Sequence, residues 1–297
     1  MHWQTSRFKL DLSRPLVMGI VNLTPDSFSD GGTAASVSLA LARCEQLLGD
    51  GAHILDLGAE STRPGAQPVP LDEELARLMP VLTEAVKLGV PLSIDTYKPE
   101  VMRAALDAGA DIVNDIWALR HPPVHAGSPA ALDVVAAHPS CGVCLMHMHR
   151  DPQTMQLQPM AGDVVDEVLH FLQQRVSVLK AAGIDLDRIS VDPGIGFGKT
   201  PSQNLSLLAH QQRLSVLGCP VLAGWSRKST LGWVLGDGGP QASGPAVAEG
   251  RRVASVTAAV LAVQQGARVV RVHDVKETAQ ALAVWSAVHG VERESKT

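Results

Sequence analysis

The chain has 297 residues, of which 45% are hydrophobic and 19% charged, and a formal net charge of −5 at neutral pH. That balance gives a globular protein with a large core, and the small acidic excess argues against a nucleic-acid partner. Residues 1–15, MHWQTSRFKLDLSRP, scatter charges through every apolar stretch, so they read as neither signal peptide nor membrane anchor, and a cytoplasmic protein is expected.

After this N-terminal extension, eight apolar runs of strand length follow in order. They are LVMGIVN (16–22), HILDLG (53–58), PLSIDT (91–96), DIVNDI (111–116), GVCLMHM (142–148), ISVDPG (189–194), PVLAGW (220–225) and RVVRVHD (268–274). Helical spacing fills the intervals. Leu71, Leu75, Leu78 and Leu82 share one face behind the acidic first turn Asp72-Glu73-Glu74, with Pro80 expected to kink that helix. Val164, Val168, Leu172, Val176 and Leu179 repeat the pattern after Asp163, with Gly183 as its stop. Repeated strand-helix units without an internal linker predict an α/β fold, a single (β/α)8 TIM barrel over 1–297, with a C-terminal tail at 290–297. An open doubly wound sheet is the alternative, but its Gly-rich turn is absent after the first strand. Residues 23–35 and 59–70, after strands 1 and 2, are long and rich in Gly, Pro, Ser and Thr, so two mobile loops are expected over the barrel mouth. The run HPPVHAGSPAA (121–131) reads as a surface excursion.

Almost every strand ends in a polar group: Asn22, Asp56, Asp95, Asn114, His147, Asp192, Ser226 with Lys228, and Arg271 with His273. One such residue is commonly a turn or cap residue, but in a barrel all of these ends converge on one rim. Arg271 and His273 lie two apart and share a face suited to a phosphate or pyrophosphate, while Val272 turns to the helices. Asn22 and Asp30 suit Mg2+ carried in with that phosphate. Asp56, Asp95, Asp192 and Asn114 offer acceptors to a planar heterocycle that presents ring N–H and amino donors, and Lys228 could meet its carbonyl. The same carboxylates could equally pair with Lys228 inside the barrel.

Two motifs invite other readings. CGVCLMHMH places Cys141, Cys144, His147 and His149 at zinc-like spacing, but alternation along a strand points Cys144 and His147 to opposite faces. Cys44 and Cys219 complete a set of four cysteines too sparse for a disulfide framework. VDPGIGFGKT (191–200) ends like a phosphate-binding loop, yet its glycine spacing is one residue short. It reads better as a strand end in which Asp192 and Phe197 face a ligand; Lys199 has no evident role.

The blocks MGIVNLTPDSFSDGG (18–32), DLGAESTRPGA (56–66), SIDTYKPEV (93–101), VNDIW (113–117), LMHM (145–148), VDPGIGFGKT (191–200), GWSRKSTLG (224–232) and VVRVHDVKET (269–278) closely resemble the dihydropteroate synthase family. The resemblance implies condensation of 6-hydroxymethyl-7,8-dihydropterin diphosphate with 4-aminobenzoate, giving 7,8-dihydropteroate and diphosphate in folate synthesis. It implies a pterin site at Asp56, Asp95, Asn114, Asp192 and Lys228, and a diphosphate site at Asn22, Thr62, Arg63, Arg271 and His273. An aminobenzoate site would comprise Phe28, Pro64, Phe197, Lys228 and Ser229, Asn22 would bind the magnesium, and a homodimer would form through the late helices. The catalytic groups would be Asp95, Lys228, Arg63, Arg271 and His273, stabilising a departing diphosphate and a pterin methylene cation. Ala59 stands where the family commonly has glycine, which would restrain the second loop if that position needs a positive φ. A pterin-dependent methyltransferase domain and a catalytically silent pterin-binding paralogue are the alternatives.

Overall fold

The computed structural model describes residues 1–24, 33–63, 65–155, 157, 159–237 and 244–294. The chain begins with an antiparallel hairpin, β1 (His2–Gln4) and β2 (Lys9–Asp11), in which Trp3 lies opposite Leu10. Strand-helix alternation then sets in with β3 (Leu16–Asn22), α1 (Thr33–Gly49), β4 (Ile54–Gly58), α2 (Leu71–Ala85), β5 (Leu92–Asp95), α3 (Pro99–Asp107) and β6 (Ile112–Asp115). It continues through α4 (Ala131–Ala137), β7 (Gly142–Met146), α5 (Val164–Ala181), β8 (Ile189–Asp192), α6 (Pro201–Ala209) and β9 (Val221–Ala223). The last elements are α7 (Ser229–Leu235), α8 (Pro245–Gln264), β10 (Ala267–Val272) and α9 (Val275–Glu294).

Among the described residues, parallel strands close a barrel in the order β10-β3-β4-β5-β6-β7-β8-β9, so the open-sheet alternative falls. The expected strands are all present, most of them a residue or two shorter than their apolar runs. Alternation along the strands sorts residues between two cores. Val17, Val21, Leu55, Leu57, Val113, Val143, Leu145 and Val272 join the layer between barrel and helices. Met18, Ile54, Ile112, Cys144, Leu222 and Val269 form a separate interior cluster. Two residues further along each of these strands stand Ile20, Asp56, Asn114, Met146, Gly224 and Arg271, which alternation therefore directs into the barrel one layer higher.

The extension at 1–15 is a plug. Trp3 and Leu12, at 0% and 1% exposure, belong to the interior cluster, and Trp3 Nε1 donates to the Arg188 carbonyl at 2.9 Å. Arg7 Nη2 pairs with buried Asp111 at 2.6 Å, and the same carboxylate accepts from the Leu92 amide. The hairpin thus closes the N-terminal end of the barrel, leaving the C-terminal end open for chemistry.

Around the barrel, α2 buries Leu71, Leu78 and Leu82 and continues through Pro80 as one helix to Ala85. The buried stripe lies on both sides of the proline, so packing holds the helix together there. α5 starts at an Asp163 cap that accepts from Val165 N and Asp166 N and ends before Gly183. The 121–131 run is largely exposed up to Ala131, where α4 begins. The first expected loop, 23–35, lies largely outside the described residues, and α1 already begins at Thr33. Ala59 is buried and is not among the residues of positive φ, so alanine fits there without strain.

Candidate active site

The strand ends bring Asp56, Asp95, Asn114 and Arg271 into contact. At the bottom of the open end, Arg271 on β10 donates from Nε to Asp56 Oδ2 and from Nη2 to Asp95 Oδ2, each at 2.6 Å. Asn114 Nδ2 lies 3.4 Å from both Asp56 oxygens. Residues 56, 95, 114 and 271 therefore form one connected set across four strands. The expected alternative, carboxylates paired with a cation inside the barrel, is present, but the cation is Arg271. Its guanidinium spans two pocket carboxylates.

Asp192 ends β8 on the other side of this set. Its Oδ1 accepts from the Gly194 amide at 2.7 Å, so a two-residue turn aims the carboxylate. Gly194 has φ +70, and a Cβ there would stand 1.8 Å from the His147 carbonyl oxygen; at Gly198, φ +70, it would meet His149 at 2.6 Å. The glycines allow this loop to press against the end of β7. Lys199 now has a role. Its buried ammonium donates to the carbonyls of Gly194, His147 and Phe197 at 2.8, 3.3 and 3.1 Å, stapling the loop from inside. Thr200 then closes a capping box with Gln203 at the start of α6. The Gly-Lys-Thr ending is a staple and a helix cap.

Lys228, just before α7, holds its ammonium over the Phe197 ring at 4.3 Å from the centroid. Burial lowers its pKa to about 8 against the opposing pull of Asp192. Burial raises Asp192 and Asp95, the latter despite its contact with Arg271. At Arg271 burial works against the charge, but Asp56 and Asp95 outweigh it and the net shift is upward. Such opposed displacements within one cleft mark a functional site.

His273 follows Arg271 by two residues, and burial together with Arg227 and Arg271 lowers its pKa to about 3, so its imidazole is neutral. Ser226 Oγ accepts from the His273 amide and lies 3.0 Å from Nδ1. A hydroxyl that accepts there is free to donate to Nδ1, which favours the tautomer with its proton on Nε2. Arg63 is exposed, yet its charge also lowers Lys228 and His273, so it stands within electrostatic reach of both. Thr62 is half-buried and lines a cavity of about 180 Å³ with Tyr97, Trp117 and Asp151. Asn22 and Ser229 are exposed, at the end of β3 and the start of α7. Phe28, Asp30 and Pro64 lie outside the described residues.

His147 is not part of this set: β7 ends at Met146, and the His147 ring packs edge-on against Phe171 of α5 with centroids 5.0 Å apart. Cys144 belongs to the interior cluster, so the two residues do face opposite ways. Among the described residues no three His, Cys, Asp or Glu side chains are grouped to hold a metal.

Apart from Phe197, the members of one apolar cluster went unread in the sequence. Tyr97, Ile116, Met146, Met148, Met155 and Phe197 form a third buried cluster. Met146 was discoverable, since it stands two residues beyond inward-facing Cys144; Tyr97 and Met155 come from connecting segments with no periodic signal.

The profile of the pterin binding enzyme family matches residues 18–273. A dihydropteroate synthase of Neisseria meningitidis serogroup C is 46% identical over 96% of this chain and 97% of its own length. The crystal structure of Burkholderia cenocepacia dihydropteroate synthase complexed with 7,8-dihydropteroate superposes with a TM-score of 0.85 at 47% identity, covering 99% of this chain and 98% of that one. The Xanthomonas albilineans dihydropteroate synthase with 4-aminobenzoic acid gives 0.83 at 50% identity, covering 95% of each chain. By barrel, strand-end cluster and sequence together, the chain belongs to the pterin-binding enzyme family and, within it, to the dihydropteroate synthases.

Proposed function

We infer that this protein joins 6-hydroxymethyl-7,8-dihydropterin diphosphate to 4-aminobenzoate, releasing diphosphate and forming 7,8-dihydropteroate for folate synthesis. The observation that carries the reading is the connected set Asp56, Asp95, Asn114 and Arg271 facing the Asp192 and Lys228 side of one pocket. A dihydropterin presents ring N–H and amino donors on one edge and a carbonyl beside them. Asp95, Asn114 and Asp192 would accept from the donors, and Lys228 would donate to the carbonyl. Asp56 would hold Arg271 and Asn114 in register, with Arg271 set to lie against the ring while its far side turns toward the diphosphate.

The C–O bond from the pterin methylene to the diphosphate breaks with both electrons leaving on oxygen. The amine nitrogen of 4-aminobenzoate then forms the C–N bond and loses a proton. Counted as ionised groups, the Asp56, Asp95 and Asp192 carboxylates exceed the Arg271 and Lys228 cations by one charge. A delocalised pterin cation placed among them would balance it. Arg63, Thr62 and the neutral Nε2–H of His273 would donate to the diphosphate, stabilising it as it leaves. The reading places 4-aminobenzoate against the Phe197 ring, beside Lys228 and Ser229.

Asn22 offers one exposed side-chain oxygen at the rim, which suits a magnesium ion that arrives on the diphosphate and keeps most of its other ligands as water and phosphate. Such an ion would neutralise charge on the leaving group. A homodimer is supported by exposed apolar residues on three neighbouring helices: Trp233 and Val234 on α7, Val253 and Leu261 on α8, and Val284 and Val288 on α9. No helix of the described residues is long and apolar enough to cross a membrane.

The test is formation of dihydropteroate from the two substrates with magnesium present, followed by release of diphosphate. Turnover is expected. Tight pterin binding without turnover would instead identify a silent paralogue.

A further inference from the structure

The second loop, 59–70, carries Thr62 and Arg63, and its base is tied by groups that no step above uses. Lys98 is 5% exposed, Glu60 9% and Glu74 1%. The Lys98 ammonium bonds Glu60 Oε2 and also Glu74 Oε2, the latter at 2.5 Å. Tyr97 Oη donates to Glu60 Oε1 at 2.6 Å and Thr96 Oγ1 to Glu74 Oε1 at 2.7 Å, so all four carboxylate oxygens have a donor. Glu60 lies at the start of the loop and Glu74 in the first turn of α2, just past its end. Lys98 therefore bridges the two ends. Arg77 of α2 adds a second tie from Nη1 to the Ala59 carbonyl at 3.0 Å.

The segment Thr96-Tyr97-Lys98 directly follows Asp95, so the bridge also links the loop to the strand that supplies a pocket carboxylate. Buried ion pairs contribute little net stability against apolar replacements, and their best-attested use is to select one arrangement over others. A fully satisfied network of this kind rigidifies what it joins.

We propose that Lys98 is a positioning residue that locks the base of the 59–70 loop to β5 through Glu60 and Glu74, and so sets where Thr62 and Arg63 stand over the substrates. The proposal deepens the dihydropteroate synthase reading and rests on it for the identity of those substrates. Lys98 does not touch them: its ammonium is spent on two carboxylates and lies 4.8 Å from the Tyr97 ring centroid.

The experiment compares wild type, Lys98→Met and Lys98→Arg as full-length chains, by hydrogen exchange of the 58–72 backbone and by steady-state kinetics with both substrates. In Lys98→Met, exchange of that segment should quicken about tenfold while β5 and β6 stay protected. KM for the dihydropterin diphosphate should rise about tenfold while affinity for the bare 6-hydroxymethyl dihydropterin, which lacks the diphosphate, is kept. Lys98→Arg should restore most of both. Should Lys98→Met not fold, Glu74→Gln carries the same expectations at smaller amplitude. Unchanged exchange and KM in a folded variant overturn the proposal, as does a uniform fall in every parameter that tracks lost stability. An inert wild type would remove the functional reading alone, because the exchange measurement still decides whether Lys98 holds the loop.

Discussion

Single residues carry the pocket's charge balance, and two of them titrate near working pH: burial raises Asp95 to about 7 and lowers Lys228 to about 8. Lys228 is a cation below that pH and neutral above it, so donation to the pterin carbonyl is present at pH 7 and lost as pH rises through about 8. The dependence of kcat/KM on pH, measured for the dihydropterin substrate, should show an alkaline limb near that value, and Lys228→Met should be slow at every pH without the limb. A limb that persists in the variant would assign the titration to another group. His273, lowered to about 3, is neutral throughout this range and contributes no limb of its own. Asp192 was legible in sequence because it ends an apolar run, and Arg271 because it stands inside one, two residues before His273. The partners of Arg271 were not, since Asp56 and Asp95 lie 215 and 176 residues away and only barrel closure brings them within 2.6 Å.

Among elements, the N-terminal hairpin contributes most beyond its apparent weight. Read in sequence it was an extension, because strands of three residues are too short to show a period. Its Trp3 fills the barrel floor beside Met18, Ile54 and Val269, and the layer above that floor contains Asp56 and Arg271. Trp3→Ala should cost about 3–5 kcal/mol of stability, measured by denaturant unfolding, since it opens a cavity that rigid strands cannot collapse around. Unfolding free energy within 1 kcal/mol of wild type, roughly the effect of an ordinary surface change, would show the hairpin to be peripheral. The loop after β8 makes the same point in the opposite direction. Its glycines were conspicuous in sequence, and their reason became clear only from the close approach of the His147 and His149 backbones.

For the whole molecule, the barrel gathers residues from 56 to 271 at one end, and α7, α8 and α9 present an apolar surface away from it. α8 buries Ser255, Ala258, Ala259 and Ala262 and turns Val253 and Leu261 outward, at 57% and 48% exposure. An aspartate in place of Leu261 should convert a dimer to monomers in sedimentation velocity while leaving the barrel folded. A wild type that sediments as a monomer at micromolar concentration would sink the homodimer proposal. The small-residue pattern of α8 suits an interface and an intramolecular contact equally.

Period and punctuation in the chain were enough for the strand-helix repeat, the barrel and the polar strand ends, because each depends on residues within one or two turns of one another. Pairings across the barrel were beyond that reach. Arg271 with two carboxylates, Lys199 with three carbonyls, and Lys98 between Glu60 and Glu74 all join groups from different units or from loops without a period. A buried charge must find its partner wherever the fold brings one. Closure of the barrel chose those partners, and with them the shape of the pocket.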